Sequence, residues 1–230
     1  MTIMDFACAR SAAAQNRVDD DLLRLVLEGQ SWTARAKGVE RLAALYCAGT
    51  LGPAARRAAE DAFRALRFDA EVLVRRVLAE CLKTAPRLPR DIAFRLATDK
   101  PEVAAPFLEH SPSLPEWDLL AVAREHPGRH RLAIARRRPL TPALSDALCR
   151  CGDLDLTLAV LDNDTARIGE ATLAYLLEQP SGATLQAAIA RRQLMPIQIG
   201  GRLVALADRA RQRGSEGVDG EEPRGRAAAV

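Results

Sequence analysis

The sequence predicts an all-α fold, specifically an α-solenoid in which antiparallel helix pairs of about 26 to 30 residues stack into a superhelix. Three observations carry this expectation. Aromatic residues make up only 4% of the 230 residues while 48% are hydrophobic, so the core must be built from Ala, Leu and Val, a palette that suits closely approaching helices better than a twisted sheet. Apolar residues recur at helical spacing. A segment pattern also returns along the chain at intervals of one helical hairpin.

Taken in order, Asp19, Asp20 and Asp21 precede LLRLVL and read as helix-start residues that complement the dipole, with metal binding as the weaker alternative. Helices are expected over Asp20 to Leu27, Ala34 to Cys47 and Pro53 to Leu66, punctuated by Gly29 to Ser31 and Gly49 to Gly52. Together residues 1–68 form an N-terminal helical cap. A repeat array over 69–210, continuous with that cap, follows. Its units align on Val77, Phe107, Ile134, Val160 and Ile189, which stand 30, 27, 26 and 29 residues apart. The match is closest between AIARRRPLTP at 133–142 and AIARRQLMP at 188–196.

Each of these helices has a capping or turn-forming lead: Asp69, Asp99 to Pro101, Pro127 to Gly128, Gly152 to Asp153, and Ser181 to Gly182. Second helices are expected within 87–97, 114–124, 140–150 and 165–177. The phases agree: Val74, Val77, Leu78, Cys81 and Leu82 make one apolar face, and after a Thr141 cap with Pro142 at the first helical position, Leu144, Ala147, Leu148 and Cys151 make another. Helices this short are unstable alone and must bury their stripes against neighbours, which is what a stack provides. From Arg211 to the end periodicity is lost and Gly and charge dominate, so 211–230 is expected to be a disordered tail.

The formal charge is +3, from 33 basic and 30 acidic residues, well short of the excess expected for an affinity built on many phosphate contacts. Lysine occurs only at Lys37, Lys83 and Lys100; the remaining basic residues are arginine, which suits forked recognition of anions but also reflects composition bias. Residues 111–138 carry six basic and three acidic side chains, and 139–208 carry five and eight, so a basic zone abuts an acidic one.

Cys8, Cys47, Cys81, Cys149 and Cys151 fit no disulfide or zinc framework, and Cys149 and Cys151 diverge by about 200° on a helix. His126 and His130 are separated by Pro127 and Gly128 and read as surface histidines on a turn. The first residues have no apolar signal region, and no apolar run approaches a membrane span, so a reducing cytoplasm is the expected setting.

The run DAEVLVRRVLAECLKTAPRLPRDIAFRLATDKPEVAAPFLEHSPSLPEWDLLAVARE, with RLAIARRRPLTPALSDALCRCGD after it, resembles an uncharacterised alpha-proteobacterial family of unknown function over about residues 20–200. The units are also similar to HEAT-type and leucine-rich-variant repeats, in which V-R-x-x-L-A is followed by a proline turn and a second helix. That resemblance implies a curved helical stack of the protein-interaction type and transfers no catalytic position.

No nucleophile elbow, P-loop, dinucleotide fingerprint, zinc-protease motif or calcium loop is present, so no enzymatic activity, cofactor or metal is expected. The candidate partner-binding residues are Arg131, Arg136, Arg137, Arg138, Arg191, Arg192 and Trp117. For the arginines the competing reading is charge at helix C-termini; for Trp117 it is packing between hairpins, which is favoured. The leading expectation is a non-catalytic scaffold or regulatory adaptor for a protein partner. The alternative is nucleic-acid binding, with likeness in architecture to HEAT-like alkylpurine DNA glycosylases and Trp117 with Asp118 as the test positions.

Overall fold

The computed structural model describes residues 18, 20–179, 182–192 and 196–216, and these contain thirteen α-helices and no β-strand. They are α1 (Asp20–Glu28), α2 (Trp32–Cys47), α3 (Pro53–Leu66), α4 (Val72–Leu82), α5 (Arg90–Ala97), α6 (Pro101–His110), α7 (Glu116–Glu125), α8 (Arg129–Ala135), α9 (Pro142–Cys149), α10 (Leu154–Asp162), α11 (Glu170–Leu177), α12 (Gly182–Ala190) and α13 (Ile197–Glu216). Among the described residues no helix is long and apolar enough to cross a membrane.

Local chemistry sets the ends. Ser31, Thr141 and Asp153 each accept a hydrogen bond from the backbone N–H three residues on, and proline opens α3, α6 and α9, where its missing N–H costs nothing. Gly128 stands before α8 at φ +69°, a left-handed backbone that glycine adopts without a Cβ penalty, so the expected turn between His126 and His130 is present.

The helices pack as two rows. In one, α2, α4, α6, α8, α10 and α12 lie each on the next; in the other, α7, α9, α11 and α13 do the same, and α1 packs on both α2 and α3. The first row holds the core through buried pairs four residues apart: Val74 and Leu78, Val103 and Phe107, His130 and Ile134, Leu156 and Val160, Leu185 and Ile189. In the first of these units the equivalent residue is therefore Leu78, not Val77, which is half-buried along with Cys81, while Ala79 joins the core. In α9 the buried stripe is Leu144, Ser145, Leu148 and Cys149, rotated from the expected one, so that Ala147 and Cys151 are only half-buried.

His130 departs from the surface position expected of it. It takes an aliphatic place in the row and is buried, its Nε2 donating to the Asp99 carbonyl at 2.8 Å.

A repeated ion pair ties helix starts together. Arg35 forks onto Asp69 (2.7 and 3.0 Å) and donates to the Gly29 carbonyl; Arg75 forks onto Asp99 (2.7 and 3.0 Å) and donates to the Asp69 carbonyl. By this geometry α2, within the stretch read as a cap, occupies the same structural place as α4. At the other end α13 continues to Glu216, six residues into the stretch expected to be a disordered tail from Arg211, and 217–230 lie outside the described residues.

A candidate partner-docking surface

The candidate arginines divide by what their guanidinium groups meet. Arg137, half-buried just past α8, donates to the carbonyls of Leu108 and Ser111 at the C-terminal end of α6. Arg192, three residues after Ile189 as Arg137 is after Ile134, donates to the carbonyls of Leu161, Asn163 and Ala166 at the end of α10. Between them Asn163 does the same for α8, its Nδ2 reaching the carbonyls of Ala135 and Arg137, both at 2.8 Å. Each unit thus satisfies the unpaired carbonyls at the negative end of the preceding helix. Arg131 caps α7 through the carbonyls of Ala123 and Arg124. Burial pulls the Arg137 and Arg192 guanidinium groups below the ordinary arginine range. Arg131, Arg137 and Arg192 thus spend donors on carbonyls inside the fold, as the competing reading of charge at helix ends expected.

Arg136, Arg138 and Arg191 are exposed and do come together. Arg136 and Arg138 line a shallow hollow of about 300 Å³ with Glu109, Asp162 and Asn163; Arg138 pairs with Asp164 at 3.1 Å and Arg191 with Asp162 at 3.4 Å. Three cations here face three acids, so this edge is a compensated, solvated rim whose ion pairs contribute little.

Trp117 stands in solvent at 65% exposure, contrary to the packed position favoured for it. Its neighbour Asp118 points the other way and is buried, accepting a two-pronged contact from Arg90 (2.6 and 2.8 Å). That pairing leaves the carboxylate inside the fold, and the hydrogen bonds raise the Arg90 pKa above its ordinary value.

The sequence reading did not single out the surface around Phe68. This ring, just beyond α3, is 63% exposed, with the Arg67 and Arg95 guanidinium carbons 5.0 and 5.3 Å from its centroid; Arg90 lies 6.0 Å from the ring of Phe94 on α5. Arg67, Phe68, Arg90, Asp91, Phe94, Arg95 and Thr98 line an open cleft of about 750 Å³. Asp91 accepts from Arg64 (3.0 Å) and Arg67 (2.7 Å); burial pushes its carboxyl up, but these hydrogen bonds outweigh that and hold it below the usual range. The ion pairs Arg67–Asp91 and Arg90–Asp118 thus link α3, α5 and α7, and three aromatic side chains ride on that line of helices. The available signal was scarcity: in a chain with two Trp, two Tyr and five Phe, an aromatic next to the helix-ending arginine of RFDAE had few reasons to be there other than packing or contact.

Among the described residues no three His, Cys, Asp or Glu side chains gather as a metal cage. The Cys149 thiol is pushed up to about 12 and that of Cys81 to about 11, burial being the main cause in each, so both hold their protons near neutral pH.

A family model described as an uncharacterised protein conserved in bacteria (DUF2336) matches residues 103–228, more than half of the chain. The match starts within α6 and runs past α13, further toward the C-terminus and over less of the N-terminal helices than the span of 20–200 read from the sequence. No curated protein and no solved structure matches the chain.

Proposed function

We propose that this chain, which belongs to the uncharacterised bacterial family DUF2336, is a non-catalytic α-solenoid of HEAT-like helix pairs that holds a protein partner on the line of helices α3, α5 and α7. The observation that carries this reading is that a chain so sparing of aromatics leaves Phe68, with Arg67 and Arg95 against its ring, and Trp117 in water on helices joined by ion pairs. Large rings held at a surface by rigid neighbours are the side chains that dominate binding energy in protein interfaces. The helices that carry them rest on the first row, α3 against α2 and α4 and α5 against α6, and are tied to one another by ion pairs.

The four free thiols of Cys47, Cys81, Cys149 and Cys151 suit a reducing cytoplasm, which we take as the setting. Nucleic-acid binding gains less support: the arginines of the basic zone are turned inward at Arg131 and Arg137 and paired at Arg138. The test is affinity capture of the tagged full chain from native lysate with and without nuclease. A discrete protein partner retained after nuclease, and lost with Phe68→Ser and Trp117→Ala together, is the expected result. Loss of all bound protein on nuclease treatment would overturn it.

A further inference from the structure

The cleft beside Phe68 holds more hydrogen-bond donors than the described residues use. A guanidinium carries five N–H groups. Arg90 spends Nε and Nη2 on Asp118 and Arg67 spends Nη1 on Asp91, whereas Arg95, whose charge acts on the nearby Asp99, donates no side-chain hydrogen bond among the described residues. Yet Arg95 is held in place against the Phe68 ring. A guanidinium held against an aromatic ring loses less freedom when it forks onto the two oxygens of a carboxylate. Of the residues lining the cleft, three are arginines and one is a carboxylate, Asp91, already committed to Arg64 and Arg67. The floor is different in kind: the rings of Phe68 and Phe94 form an apolar base in a volume that takes one large side chain with room to spare.

We propose that this cleft takes an acidic segment of the partner protein, with an aromatic side chain lying against Phe68 and Phe94 and an adjacent carboxylate forked by Arg95. The assignment rests on the protein-docking reading above and adds the chemistry of what docks. A single nucleic-acid strand also stacks on exposed rings, but its unbroken run of phosphates would meet Asp61 and Asp91, which share Arg64 between them at the cleft's edge, and no lysine lines the cleft. Carboxylates spaced along a peptide can avoid those acids.

Fluorescence anisotropy of the full chain with labelled probes tests this directly. The probes are a short peptide with Phe flanked by Glu, the same peptide with Lys for Glu, the same with Ser for Phe, and an oligouridine strand. The Glu-flanked Phe peptide is expected to bind best, losing about tenfold with either change in the peptide and about tenfold with Arg95→Glu or Phe68→Ser in the protein. Phe68 is solvent-exposed, so Phe68→Ser should melt with the parent, and Arg95→Gln, which loses the same binding without setting a carboxylate beside Asp99, should do so too. Equal binding of the Lys-flanked peptide, no loss with Arg95→Glu, or tighter binding of oligouridine than of any peptide would overturn the proposal. A lysate partner that still binds Arg95→Glu while requiring Phe68 and Trp117 leaves the docking reading standing and removes the acidic-segment assignment. A chain that captures no protein removes both.

Discussion

At the scale of single residues, the inward arginines show how one side chain can close several helix ends. The last carbonyls of a helix have no partner inside it, and a buried one costs about 1–3 kcal/mol if left unpaired. Leu108 and Ser111 are fully buried residues whose carbonyls are reached from the next unit by Arg137. Arg137→Met keeps the aliphatic stem and removes the donors, so it is expected to lower stability by about 1–3 kcal/mol in urea denaturation. Arg137→Lys should recover only part of this, since a single ammonium replaces a fork; full recovery would mean that charge alone matters.

Asp99 gives a pH dependence. Burial pushes its carboxyl up, but hydrogen bonds from Arg75 and from the Lys100 N–H outweigh that and hold it below the ordinary value. A carboxyl depressed in the folded state contributes stability above its unfolded pKa of about 3.9, lost as pH falls through the folded value. Asp99→Asn should therefore be less stable than the parent at neutral pH and lose less on acidification below about pH 4. Parallel acid-unfolding curves for the two would contradict this.

At the scale of the helix, the contact between α1 and α2 depends on a missing side chain. A Cβ on Gly38 would lie 2.7 Å from Val26 Cγ2, close enough that one of the two must shift, and 3.2 Å from the Val26 backbone nitrogen, a tight contact. Gly38→Val is expected to force α1 off α2, costing about 1–3 kcal/mol, with hydrogen exchange accelerated in α1 and unchanged in α10. Protection lost evenly along the chain would mean instead that the two rows unfold as one unit.

Helix limits were legible here because caps and prolines are chemical signals: the expected Pro53–Leu66 and the Thr141–Pro142 start coincide with α3 and α9. Register was less so. Val77 and Leu78 are both apolar, and a face of about 100° admits either, so only packing selects Leu78. Ala79 and Ser145 were invisible as core residues because small side chains carry little hydropathy in either direction.

At the scale of the whole molecule, the arginine content has two uses that composition could not separate. Arg137 and Arg192 serve carbonyls of residues 26 to 31 positions earlier in the chain, a distance over which sequence gives no sign of contact, whereas Arg95 faces water beside an exposed ring. Arg136 and Arg137 are neighbours in the sequence and opposite in role. Trp117 was weighed as a surface contact but expected to pack, and Phe68 was passed over, because an aromatic in or beside a helix reads as core until its neighbours are placed around it.

The central claim is that the inward arginines build the stack while the exposed rings bind. It is tested most directly by measuring thermal unfolding and retention of the nuclease-resistant partner side by side for Phe68→Ser and Arg137→Met. The account predicts that Phe68→Ser melts with the parent and loses the partner, and that Arg137→Met melts earlier and keeps the partner below its melting range. A Phe68→Ser protein that retains the partner, or an Arg137→Met protein that melts with the parent and loses it, would contradict the account.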